Sequence, residues 1–176
     1  MTERAGSSAG RACRLEIPDK SHEKEYERMM DRWESIEENI QPELLRRGKA
    51  SYDKWLAWCE DDRTTGSMLS TGVPCTLYFM IADGSEIIGA VVVNHGCTHR
   101  GHLHAGIAPW NRGRGYGTLM LRLALEKCRS MGFDRVEIVP YQENAGAIRT
   151  ILKNGGVQEA EFQENDRLSV RYVIRL

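Results

Sequence analysis

Residues 112–118 read RGRGYGT and set glycines at alternate positions directly after a strand-like run, at the first turn of a strongly apolar helical one. With no Cβ at Gly113, Gly115 and Gly117, several backbone N–H groups can point outward together. The start of a helix adds unpaired N–H donors and the positive end of its dipole, and Arg112 and Arg114 add charge against a diphosphate. Such a turn can hold a phosphate. Tight turns without a ligand also use glycine, and spacing alone does not separate the two. It does exclude two other phosphate loops. No G-x-x-x-x-G-K-[ST] occurs and the glycines do not fit G-x-G-x-x-G, so neither an NTPase nor a Rossmann dehydrogenase is supported.

A second concentration of chemistry lies just upstream, where His95, His99, His102 and His104 fall within ten residues. Imidazole titrates near neutral pH and suits proton transfer. If GHLHAGI is a strand, alternation puts His102 and His104 on one face and Leu103 and Ala105 on the other. A structural strand histidine is the competing reading for each. The four histidines match no familiar metal-ligand spacing, so no metal is expected. The five cysteines form an odd, scattered set without a C-x-x-C pair, and free thiols are expected.

The elements that must position these residues follow from periodicity. Residues 1–20, rich in Ser, Gly, Ala and Arg, read as a flexible tail, with one domain over 21–176. From Ser21, apolar residues recur at helical spacing through Tyr26, Met29, Met30 and Trp33 toward Pro42, and a second helix covers Tyr52 to Glu60. CTLYFMIA and EIIGAVVVNH form a hairpin around Asp83-Gly84, and GHLHAGIAP is a third strand ended by Pro109. A helix from Gly115 to Met131, a strand at Arg135 to Val139, a helix from Asn144 to Lys153 and two strands at Val157 to Phe162 and Leu168 to Ile174 complete an α/β order ααβββαβαββ.

With 24 basic against 25 acidic residues, the chain has no global field to recruit nucleic acid or an anionic membrane. No apolar run is long enough to span a bilayer and the polar start lacks a signal-peptide core, so a cytoplasmic protein is expected.

The strand ending at Pro109, then Arg112-x-x-Gly115-x-Gly117 and an apolar helix, resembles the acetyl-CoA motif of the GNAT superfamily of N-acetyltransferases. The likeness continues through Asn144, Ala147 and Asn154-Gly155-Gly156, the family's second block, and covers about residues 22 to 176. Within the superfamily the chain is similar to a group of small bacterial predicted acetyltransferases. That group carries GHIGYGIRP where this chain has GHLHAGIAP, so His102 is shared while His104, Ala105 and Ala108 depart.

The resemblance implies a GNAT fold, with a mixed, mostly antiparallel sheet containing a splayed parallel strand pair, here GHLHAGI and RVEIV, flanked by helices. It implies acetyl-CoA as donor and direct transfer to an amine in a ternary complex, without a metal. Backbone N–H groups around Ala105 and Ile107 would meet the pantetheine and polarise the thioester. Arg112, Gly113, Arg114, Gly115, Tyr116, Gly117 and Thr118 would hold the pyrophosphate, and Asn144 would meet the pantetheine or simply cap its helix.

The family's tyrosine, seven residues after that asparagine, is Ile151 here, and a carboxylate early on the third core strand is Gly101. His102 and His104 are then the candidates for the base and Tyr141 for the acid that protonates the thiolate, with Tyr172 a further candidate. Glu34, Glu37, Glu38, Glu43 and Glu60 to Asp62, with Trp33, Trp55 and Trp58, would suit a cationic small-molecule amine, against the plainer reading of acidic outer faces and core tryptophans. The final strands of such folds often meet a second subunit, so a homodimer is expected. The alternatives are a CoA-binding sensor or interaction module that has lost the chemistry, and a protein or peptide N-acetyltransferase.

Overall fold

The computed structural model describes residues 12–68 and 71–176. A seven-stranded sheet, in the order β1-β2-β3-β4-β5-β7-β6, separates two pairs of helices. Its strands are β1 (Cys13–Glu16), β2 (Cys75–Ala82), β3 (Glu86–Thr98), β4 (Gly101–Ile107), β5 (Arg135–Ile138), β6 (Val157–Glu164) and β7 (Arg167–Arg175). The helices are α1 (Glu23–Glu34), α2 (Tyr52–Thr65), α3 (Tyr116–Ser130) and α4 (Ala145–Lys153).

Both faces of the central strands are covered, and the sequence shows it. All eight residues of β2 are buried, so it reads as an unbroken apolar run instead of an alternating one. Leu77, Phe79 and Ile81 pack under α1 and α2 with Tyr26, Trp33, Tyr52 and Trp55. Tyr78, Met80 and Ala82 pack under α3 and α4 with Met120, Leu121, Ala124 and Ile151. On β4 the same alternation sends Leu103 and Ile107 toward α3.

Four expectations need correction. Composition predicts a tail through residue 20, yet Cys13–Glu16 pair antiparallel with Ala82–Phe79, and residues 1–11 lie outside the described residues. Four residues are too few to show a period, and their pairing covers an edge of β2 that would otherwise be open. The first helix stops at Glu34 instead of continuing toward Pro42, because Ser35 turns its hydroxyl to Arg32 O and Glu37 adopts φ +57°. The second runs past Glu60 to Thr65, where Gly66 ends it at φ +65°. A Cβ at Gly66 would stand 2.5 Å from the Val73 carbonyl carbon, so this stop requires glycine for packing as well as for conformation.

The fourth correction concerns the sheet. Among the described residues every strand pairing is antiparallel, and no parallel ladder joins β4 to β5. The two strands meet at one residue pair, Gly101 opposite Ile138. A Cβ on Gly101 would lie 2.4 Å from Glu137 O, so the contact depends on the missing side chain at a hairpin tip, where φ is +86°. The separation expected of this strand pair is present; the parallel pairing is not.

Candidate active site

The turn that suggested phosphate binding is open. Gly113 (φ +74°) and Gly115 (φ +83°) have left-handed backbones, and nothing stands within 4 Å of where a Cβ would be at either. Packing does not demand these glycines; the shape of the turn and the free space before it do. Gly115 is the N-cap of α3 and supplies no side-chain cap, so the donors of the first turn are left for something outside the helix.

Gly117 and Thr118 serve differently. A Cβ at Gly117 would meet Thr150 Oγ1 at 3.4 Å, and Asn154 donates through Nδ2 to Thr118 O (3.2 Å) and Thr150 O (2.9 Å), fastening the start of α3 to the end of α4. Tyr116 is buried in the core, while Arg114 is exposed beside the glycines. The side chain of Arg112 is already engaged. Its Nη1 donates to Glu38 Oε2 (3.0 Å), its Nε to Ile107 O (2.9 Å), and its guanidinium lies 6.0 Å from the Trp33 ring. Arg112 ties the segment after α1 to the end of β4, and the charge expected to face a diphosphate is balanced by Glu38.

The turn continues an unpaired strand edge. Ala108 N–H donates to Ile88 O on β3 at 2.9 Å. Successive strand residues turn their N–H groups to opposite edges, so Ala105 and Ile107 present theirs away from β3. On that side β5 has already parted from β4, and Ala105 is exposed. Asn144 is the N-cap of α4, its Oδ1 accepting from Ala147 N at 3.1 Å. That leaves its Nδ2 donors for a ligand.

The candidate proton-transfer groups are separated by their surroundings. His102 accepts a hydrogen bond at Nδ1 from Glu137 N (3.0 Å) and packs against Phe133 with ring centroids 5.4 Å apart and tilted by 58°, standing in for the missing β4–β5 ladder. Burial lowers its pKa from the ordinary value, against the pull of Glu137. That hydrogen bond joins the two strands where they meet.

His104 lies further along β4, opposite Val92. Burial, assisted by the charges of Arg100 and His99, pushes its pKa down to about 4, so the imidazole is neutral with a free lone pair at pH 7. Tyr141 follows β5, bridges to Ser169, and accepts from Arg100 Nη1 at 3.3 Å. The Arg167 guanidinium lies 3.4 Å from its ring centroid and that of Arg100 5.2 Å away. Because the oxygen already accepts from Arg100, the phenol hydrogen is free to be donated.

Other candidates fall away. Ile151 is fully buried, and a Cβ on Gly156 would stand 2.3 Å from its Cγ2, so this position belongs to the core. Tyr172 is also core. Glu137 is buried in ion pairs with Arg135 (2.6 Å) and Arg171 (3.5 Å), with the Cys97 thiol 3.2 Å away. His95 shares a hydrogen bond with Thr76 (2.8 Å), and His99 lies 4.0 Å from Glu164. All five cysteines are free.

Several members of the acidic and aromatic wall expected for a cationic acceptor are committed elsewhere. Trp33 and Trp55 are fully buried, Asp62 is buried against Cys75 and Met68 N, and Glu38, Glu43 and Glu60 pair with Arg112, Arg46 and Arg63. Sequence reading missed Arg100. Its only signal was an arginine set among histidines in THRGHLH.

The acetyltransferase (GNAT) family profile matches residues 24–155, from α1 to the end of α4, which includes β4, the glycine turn, Tyr141 and Asn144 but not Arg167. The chain belongs to the GNAT family of acetyltransferases. Solved structures agree in fold. Microcin C7 self-immunity acetyltransferase MccE, in complex with acetyl-CoA and AMP, is 14% identical with a TM-score of 0.66, over 93% of this chain and 92% of that one. Spermidine N-acetyltransferase from Vibrio cholerae, in complex with CoA and spermine, is 13% identical with a TM-score of 0.64, over 93% and 95%. At such identities the likeness is one of fold alone. A search of curated proteins finds no match. Within this GNAT chain, the turn at residues 112–118 and the outer edge of β4 both lie inside the matched residues.

Proposed function

We propose that the protein transfers an acetyl group from acetyl-CoA to the primary amine of a small molecule, by direct attack in a ternary complex. The observation that carries this reading is the continuity between the unpaired edge of β4 and the open glycine turn at the start of α3. An extended thioester arm fits the first and a diphosphate the second. When bound, acetyl-CoA supplies an activated acetyl thioester. The chain's own groups do the rest. Ala105 and Ile107 N–H groups align the arm and donate to the oxygen that gains charge. Gly113, Arg114, Gly115 and the first-turn amides of α3 hold the diphosphate, and Asn144 Nδ2 steadies the arm. His104 takes a proton from the attacking amine at its free nitrogen, and Tyr141 donates its hydroxyl proton to the departing sulfur.

Free thiols at all five cysteines support a cytoplasmic setting. For a homodimer, the strand we favour is β6, the end of the sheet. One observation favours a second reading, a CoA-binding module without turnover: Ile151 leaves no hydroxyl at the family's usual acid position. Thiol release from acetyl-CoA across a panel of amines separates the two. Release with at least one amine supports the transferase; tight CoA binding with no release over the panel supports the module.

A further inference from the structure

Four arginines near the strand gap have carboxylate partners: Arg112 with Glu38, Arg135 and Arg171 with Glu137, and Arg167 with Glu143. Among the described residues, Arg100 is in ion-pair range of none. Its side chain is half-buried, one nitrogen donates to Tyr141 Oη, and the guanidinium lies over the Tyr141 ring. Its charge also bears on His104. Arg100 therefore touches one of the groups assigned to proton transfer and acts on the other through its charge, with a planar set of donors only partly used and, among the described residues, no carboxylate in ion-pair range. A half-buried, uncompensated guanidinium is costly and suits a ligand carboxylate, which it can meet with two parallel hydrogen bonds. Glu143 and Glu164, the nearby carboxylates, are turned to Arg167 and His99.

We infer that the acceptor carries a carboxylate close to its reactive amine, as an α- or β-amino acid does, and that Arg100 binds this carboxylate while the amine faces His104. The inference rests on the transferase reading above and names its substrate class. It replaces the cationic acceptor that the acidic helices had suggested.

The test uses the full chain and matched acceptors: amino acids, their carboxamides, and the parent amines lacking the carboxyl carbon. Thiol release is measured for wild type, Arg100→Gln and Arg100→Lys, and acetyl-CoA binding is measured for each as a check on folding and on the donor site. The expected result is at least a tenfold preference in kcat/KM for the carboxylate over its carboxamide, carried mainly by acceptor KM. The preference should be lost in Arg100→Gln and partly kept in Arg100→Lys, with acetyl-CoA affinity unchanged. Equal rates for the matched pair in wild type, or a preference that survives Arg100→Gln, overturns the inference and leaves the transferase reading standing. No release with any amine, despite intact acetyl-CoA binding, overturns the transferase reading and this inference with it.

Discussion

At its far end β4 runs into a turn whose chemistry is almost all backbone: two left-handed glycines, the first amides of α3, and outward N–H groups at Ala105 and Ile107. Around its near half the chemistry is carried by side chains from separate segments, with Arg100 before the strand, His104 within it, Tyr141 after β5 and Arg167 at the start of β7. The first region is contiguous in sequence and tolerates almost no change of residue type at its glycines. The second is assembled by the fold, and its members hold one another by stacking, hydrogen bonds and charge. On the function proposed above, binding of a constant group is written locally, while recognition of a variable one is spread over the chain.

The sharpest way to break this contrast is at Gly115. A valine there must adopt φ near +83° or rebuild the turn, and its side chain would enter the open space proposed for the diphosphate. Gly115→Val should weaken acetyl-CoA binding by roughly a hundredfold or more in calorimetry, with the fold retained by circular dichroism. Unchanged affinity would remove the turn from the binding site.

His104 should show the next largest effect, in stability. Its pKa is about 4 in the folded protein against 6.5 for an unperturbed imidazole. Between these values the unfolded chain binds more protons, so stability is complete above pH 6.5 and falls as the pH drops through 4. The full loss is about 3 kcal/mol. Urea unfolding at several pH values should show this acid sensitivity in wild type and its loss in His104→Gln. An identical dependence in both proteins contradicts the buried, neutral imidazole.

Tyr141→Phe keeps the ring on which Arg167 and Arg100 lie and removes only the hydroxyl. Loss of a general acid predicts a fall in kcat of about a hundredfold, with acetyl-CoA affinity unaltered. An unaffected kcat would reduce Tyr141 to a platform for the two arginines. His102→Ala should have the smallest effect. It leaves a buried Glu137 N–H without its acceptor and costs about 1–2 kcal/mol of stability, while the shape of the pH–rate profile stays as in wild type. A lost acidic limb would return His102 to the chemistry.

Local pattern made much of this protein legible. The runs that became β2, β3 and α3 are long and apolar, and the glycine turn could be read because its function resides in consecutive backbone units. Shorter signals failed for identifiable reasons. Cys13–Glu16 has too few residues to show a period, and its strand exists because β2 offers it an edge. His102 and His104 share a face by alternation, yet one accepts from a neighbouring strand and the other stands beside the gap. Nothing in the spacing distinguishes them.

By itself, the sequence determined the α/β order from α1 onward, the family, the open turn and the loss of the family's usual tyrosine, all of which depend on residue type at fixed local spacing. Tertiary structure decided what that loss means. Ile151 is committed to the core and Gly101 to a close backbone approach, so neither position can be restored without disturbing its neighbours. It also decided which charges remain available. Glu38 and Glu143 neutralise Arg112 and Arg167, leaving Arg100 beside His104 and Tyr141. Charge balance is a property of distances between segments far apart in the chain, and those distances exist only once the sheet has formed.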